Sequence, residues 1–250
     1  PDDHGRYVFD ADELRSATGR DYEQAFRYGR LAIRVVARSP SLSARARALV
    51  TYAGAVQHWC RPLAESLPHF RRALGYALES GDLIFAGYTV WFLFSTRFQT
   101  GAHLGDLQRD ARRQLGFLSR SFRTHLDGAF RPSLLQPIAH LLGETDGPDR
   151  FDGPDHDERA FLDGLGRSPF FRALYMGAKI RGLFWMGRLP EALELLEERH
   201  VVEEALYSHS LLPEYLLFVS LTLTAAYEIV DEEDRALYDQ IGRASCRERV

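Results

Sequence analysis

Apolar residues recur at intervals of three and four along most of the chain, with arginines and acids filling the positions between them. Tyr22, Ala25, Phe26, Gly29, Ala32, Ile33 and Val36 fall on one side of a helical wheel, which predicts an amphipathic helix beginning at Asp21. Ser39-Pro40-Ser41 interrupts it, because proline lacks an amide hydrogen and turns the preceding residue away from helix. A second helix is predicted from Leu42 to Trp59, with Ala44, Ala48, Tyr52, Ala55 and Trp59 along one face. A third runs from Pro62 to Leu78 through Leu63, Leu67, Phe70, Leu74 and Ala77, with Pro68 as a place to split it and Gly81 as its stop.

Leu83 to Thr96 is 14 residues without a charge, and Tyr215 to Tyr227 is 13. Spanning a bilayer takes about 20 apolar residues, so both are predicted to be inner helices covered on several sides, and no membrane span is expected. Leu107, Ala111, Leu115 and Leu118 mark a helix from Gly105 to Arg123, and Pro132 to Leu142 a short one. Residues 143–158, GETDGPDRFDGPDHDE, are too rich in Gly, Pro and Asp for a core element and predict an exposed acidic loop. Ser168-Pro169 opens a helix over Phe170 to Met186; Gly187 ends it and Pro190 begins the next. There Ala192, Leu193, Leu195 and Leu196 face inward, opposite Glu191, Glu194, Glu197 and Glu198. No strand alternation is long enough to assign.

Helix starts fall at Asp21, Pro62, Leu104 and Pro190, at intervals of 41, 42 and 86. A period near 42 made of two helices is that of stacked helical hairpins, with one register missing inside the acidic loop. The expected fold class is therefore all-α, a right-handed α-solenoid of TPR-like helical hairpins over residues 21–240, after a lead-in at 1–20. Trp59, Trp91 and Trp185 are read as core anchors, Phe70, Ala192 and Leu196 as inward packing positions, and Gly187 as the small residue of a close helix–helix turn.

Composition narrows the chemistry. Lys179 is the only lysine, so 30 of the 31 basic residues are arginine. That bias fits GC-rich coding better than a phosphate-binding surface, and with a net charge of −4 no nucleic-acid partner is expected. Ile241 to Val250, IGRASCRERV, is what ATC GGA AGA GCG TCG TGT AGG GAA AGA GTG encodes, the read-through of a short-read sequencing adapter; these residues are read as non-native and the chain as cut at both ends. The tail carries three arginines against one glutamate, so residues 1–240 carry a formal −6. It also holds Cys246, leaving Cys60 alone, which fits a reducing, cytoplasmic setting.

Each candidate site has a plainer role beside it. Lys179 lies in Met176-Gly177-Ala178-Lys179-Ile180, without the glycine spacing or hydroxyl of a phosphate loop. His58 beside Cys60 offers a Cys/His pair, for which a half-buried helix position is the simpler account. Asp146, Asp149, Asp152, Asp155, Asp157 and Glu158 are hard ligands suited to calcium, but their spacing fails the EF-hand pattern. The sequence assigns no catalytic residue, cofactor or metal.

Gly187 to Leu196, GRLPEALELL, resembles the turn and second helix of a tetratricopeptide-type hairpin. The run Tyr52 to Asp82, with HWCRPLAE (His58 to Glu65) and ESGD (Glu79 to Asp82), then FAGY (Phe85 to Tyr88), GAHL (Gly101 to Leu104) and FDGPDHDE (Phe151 to Glu158), is similar to the helical-repeat segment of very large bacterial signalling proteins. Such proteins carry a serine/threonine kinase and an AAA-type ATPase domain before the repeats, and a GAF domain and often a sensor histidine kinase after them. The resemblance implies a non-catalytic scaffold or sensor region whose partners are flanking ATPase, kinase or GAF domains and a protein or small-molecule signal. The alternatives are the repeat region of an ATP-dependent transcription activator and a compact all-helical enzyme.

Overall fold

The computed structural model describes residues 21–121, 130–154, 156–164 and 169–227, with Arg235 and Tyr238. The lead-in at 1–20 and the tail from Ile241 to Val250 lie outside the described residues. Those described are helices and connecting turns without a β-strand; one isolated bridge joins Gly153 and His156. They fall into two compact units, the chain up to Phe130 with Ser208–Ser210, and Arg131–Tyr207 with the chain from Leu211 onward.

In the first unit the helices are α1 (Tyr22–Val36), α2 (Leu42–Thr51), α3 (Leu67–Glu79), α4 (Leu83–Gln99) and α5 (Leu104–Ser121). Asp21 caps α1 by accepting from the Gln24 amide at 2.9 Å, and Ser41 caps α2 by accepting from the Ala44 amide at 3.2 Å. The run after α2 stays helical to Trp59 but changes winding, passing through a π-turn at Tyr52–Val56 and a 3-10 turn at Gln57–Trp59. The third predicted helix does split: a 3-10 turn at Leu63–Ser66 precedes α3, with Pro68 in its first turn, where its missing amide hydrogen costs nothing.

Packing in this unit follows chain order, α1 on α2, α2 on α3, α3 on α4 and α4 on α5, with α2 also meeting α4. Small residues let the axes approach: Ala46, Ala77 and Ala86 form one core cluster, and Leu49, Val50 and Ala73 a second against Ile33, Phe85 and Phe92. The α3–α4 corner is fixed by Gly81, at φ 70°, a left-handed conformation that glycine adopts without a Cβ penalty. Asp82 then caps α4 through the Phe85 amide, and the same carboxylate accepts from Ser43 and, at 2.8 Å, from Arg47 on α2. Burial raises its pKa, but these donors outweigh it and hold the carboxyl below the usual range.

In the second unit a π-turn at Arg131–Leu135 leads into α6 (Gln136–Leu141); then come α7 (Glu158–Gly164), α8 (Pro169–Trp185), α9 (Leu189–Glu194), α10 (Arg199–Ala205) and α11 (Leu211–Ala226), with a 3-10 turn at Leu195–Glu198. Here α8 is the hub, packing on α6, α9, α10 and α11. Gly187, at φ 69°, ends α8, and Ala192 is fully buried where α9 lies against its neighbours. Residue 147, where a repeat start would fall, is in a loop.

Three expectations need correction. Trp185 is no core anchor: at the last position of α8 it is 62% exposed, flanked by Phe184 and Phe218. The two uncharged runs are not covered on several sides, since Ile84 and Tyr88 on α4, Leu217 and Leu221 on α11, and Tyr227 just past it are exposed. The acidic segment 143–158 is not simply an exposed loop, because Phe151 is fully buried and Glu158 reaches the interior. Among the described residues no helix is long and apolar enough to cross a membrane.

Candidate functional site

The densest polar constellation lies in the second unit, where the acidic segment folds back on α8. Tyr175 and Lys179 are one helical turn apart on α8 and therefore share a face. Tyr175 OH and Lys179 Nζ each donate to Oε1 of Glu158 at 2.5 Å, while Oε2 accepts from the Phe151 amide at 3.1 Å. Lys179 and Glu158 side chains are only 7% and 12% exposed. The ammonium also sits 4.5 Å from the centre of the Phe151 ring, in cation–π contact. Phe151 is held in turn, its carbonyl accepting from Gln136 Nε2 at 2.6 Å and its ring edge-on to His140 and Tyr175.

Burial lowers the Lys179 pKa, against the opposing pull of Glu158. Burial, reinforced by the Glu158 charge, pushes the Tyr175 phenol far up, so it stays a hydrogen-bond donor. All three groups are engaged with one another, and this constellation acts as a lock: an ion pair with a shared phenol that ties a helix-poor segment to the hub helix. His140 extends it, its Nε2 donating to the Pro148 carbonyl at 2.9 Å while burial lowers its pKa. The acids of the loop work locally. Asp152 accepts from the Glu158 amide and Asp157 from the Ala160 amide, both at 2.7 Å, which starts α7. Among the described residues, which leave out Asp155, no group of three His, Cys, Asp or Glu is placed to hold a metal ion.

A second ion pair on α8, Arg181 Nη1 to Glu214 Oε1 at 2.5 Å, joins it to α11, and Arg172 Nε meets Glu198 at 2.6 Å nearer the surface. Of the predicted outward glutamates, Glu191 pairs with Arg188, Glu198 with Arg172, and Glu194 and Glu197 are exposed.

In the first unit two histidines, His209 and His58, sit among aromatic rings. His209 stacks on Phe92 at 5.0 Å and meets Trp91 edge-on at 5.2 Å. Ser210, beside it, accepts from Gln99 Nε2 through its carbonyl at 3.1 Å. Both ring nitrogens of His58 are shielded from solvent and have no hydrogen-bond partner. Desolvation lowers the His58 pKa to about 4 and that of His209 to about 3, the latter with a further push from His58. Cys60 donates instead to the Tyr22 carbonyl at 3.3 Å, and burial raises its thiol, the reverse of what a nucleophile needs.

The predicted packing positions are thus distributed rather than gathered. Trp59 is half-buried and stacks on Tyr22 at 4.8 Å, Phe70 is buried and stacked on Phe92 at 5.4 Å, and Trp91 is buried against Phe92 and His209. Gly187 ends α8, Ala192 lies on α9 and Leu196 in the 3-10 turn after it, the latter two buried. Glu158, Tyr175 and Phe151 escaped the sequence reading as a set. The available signal was Lys179 itself, a solitary lysine in an arginine-rich chain.

No family model matches the chain, and neither a curated protein nor a solved structure matches it.

Proposed function

We propose that this chain is the non-catalytic helical-repeat scaffold or sensor region of a larger ATP-dependent signal-transduction protein, built of TPR-like hairpins and coupling a bound protein or small-molecule signal to flanking ATPase, kinase or GAF domains. The observation that carries the scaffold reading is the chain-order packing of α1 to α5, the contact pattern of stacked hairpins, in which each element completes the apolar face of its neighbour. The glycine-and-aspartate corner at Gly81-Asp82 supports it, because it sets one hairpin against the next at the segment that resembles the signalling family. The engagement of Lys179 with Glu158 supports a non-catalytic role, since the one lysine of the chain is committed to the interior. The signalling context rests on the resemblance.

The test is the reading frame around this segment. Kinase and ATPase domains upstream with a GAF or histidine-kinase domain downstream are expected; a DNA-binding domain in place of the kinase overturns the signalling assignment in favour of a transcription activator. Calorimetry of the 250-residue chain with magnesium ATP is expected to give no saturable binding in the micromolar range, and such binding would remove the non-catalytic reading.

A further inference from the structure

The outer face of α1 divides into two stripes. At about 100° per residue, Tyr28, Leu31 and Val35 fall together along one side, and Arg27, Arg30 and Arg34 along the other. The opposite face of the helix carries Gly29 and Phe26 against Tyr52, so the orientation is fixed by packing. Tyr28, Leu31 and Val35 are 50%, 51% and 61% exposed, although their spacing of three and four is that of a buried seam. Arg27, Arg30, Arg34 and Arg38 are exposed as well. The Arg27–Glu23 ion pair on this face has both side chains more than 70% exposed and is easily exchanged for another partner. A basic face thus stands on a chain whose net charge is −4.

We infer that this face docks an acidic amphipathic α-helix, with Tyr28, Leu31 and Val35 as the apolar seam and Arg27 and Arg34 as the charged flank. In heptad terms Tyr28, Leu31 and Val35 occupy a, d and a, and Arg27 and Arg34 the preceding g positions, which pair with carboxylates of an opposing helix and set partner choice. The flank also selects against self-pairing, because two copies laid antiparallel on this seam bring arginine against arginine. The inference deepens the scaffold reading and rests on it; the charge complementarity that names the partner is a property of α1 alone.

The probe is a fluorescein-labelled synthetic helix of about three heptads with Leu at a and d and Glu at e and g, whose like charges keep it from pairing with itself. Its control has Lys in place of Glu. Titrated in low salt against the 250-residue chain, the Glu peptide is expected to give a saturable anisotropy change. Leu31→Asp and the double variant Arg27→Glu/Arg34→Glu should each weaken it about tenfold or more, and the double variant should gain the Lys peptide. All three positions are exposed, so circular dichroism should be unchanged; the charge-reversal pair carries the test if Leu31→Asp unfolds. No binding of the Glu peptide, equal binding of both peptides, or indifference to the variants would overturn the inference. So would association only with phosphatidylserine-containing vesicles, or a sedimenting dimer abolished by Leu31→Asp. These failures leave the scaffold reading to the reading-frame result, which is independent of α1.

Discussion

Buried polar groups are handled differently in the two units. In the first, the fully buried ones among the described residues are neutral, Gln57, Ser66, Thr89, Ser95, Thr96, Gln108 and His209, and the charged Asp82 is a helix cap tied to an exposed arginine. In the second, Lys179 and Arg181 are buried on one helix, each against a glutamate. The cause lies in what each unit has to fold. The first consists of helices that satisfy their own backbone and meet through alanine and aromatic surfaces. The second must hold a loop poor in apolar groups, and a carboxylate accepting from a phenol, an ammonium and a backbone amide anchors it where hydrophobic area is scarce.

The largest effect expected from breaking this contrast is at the Glu158 lock. Glu158→Ala leaves Lys179 charged and buried, at a cost of about 3–5 kcal/mol in urea-induced unfolding. Replacing both partners, Glu158→Leu with Lys179→Met, should recover most of that loss, because the penalty arises from the orphaned charge. A loss in the double variant as great as in the single would show that the pair is not what holds the segment.

Acid sharpens the comparison from the other side. The folded-state pKa values of His58 and His209 are lowered to about 4 and about 3, so near pH 6.5 the unfolded chain takes up protons that the folded chain refuses. Their neutral-state contribution is intact above pH 6.5 and is lost as pH falls to about 4 for His58 and about 3 for His209. The loss is on the order of 3–5 kcal/mol for each histidine. His209→Phe keeps a ring against Phe92 and Trp91 without the titration, and should flatten the fall in stability between pH 6.5 and 4. An unchanged pH profile would place the acid sensitivity elsewhere, with His140 and His156 of the second unit, also lowered by burial, as the groups to substitute next.

The smallest effect falls on one of two tryptophans. Trp91→Ala empties a buried position in the first unit and should cost about 3–5 kcal/mol, whereas Trp185→Ala, on a residue 62% exposed, should cost less than about 1 kcal/mol. Thermal unfolding of the two variants side by side checks this; equal losses would mean that Trp185 is covered in solution.

Local chemistry wrote the helix boundaries plainly into the sequence. Asp21, Ser41 and Asp82 offer side-chain acceptors to first-turn amides, Gly81 and Gly187 accept a left-handed turn, and Pro40, Pro68 and Pro190 mark where an amide hydrogen is not needed. Each of these rules acts within a few residues, so periodicity and punctuation sufficed for an all-helical chain and for most of its elements. The site was not legible in that way. Lys179 and Glu158 are 21 positions apart, and whether a carboxylate in an acid-rich loop faces water or an ammonium depends on how the loop returns to α8. The same holds for Trp185, whose ring is apolar in any sequence but is buried only if a neighbouring element covers the end of its helix. Burial is a property of several elements together, and pairwise spacing along one helix carries no record of it.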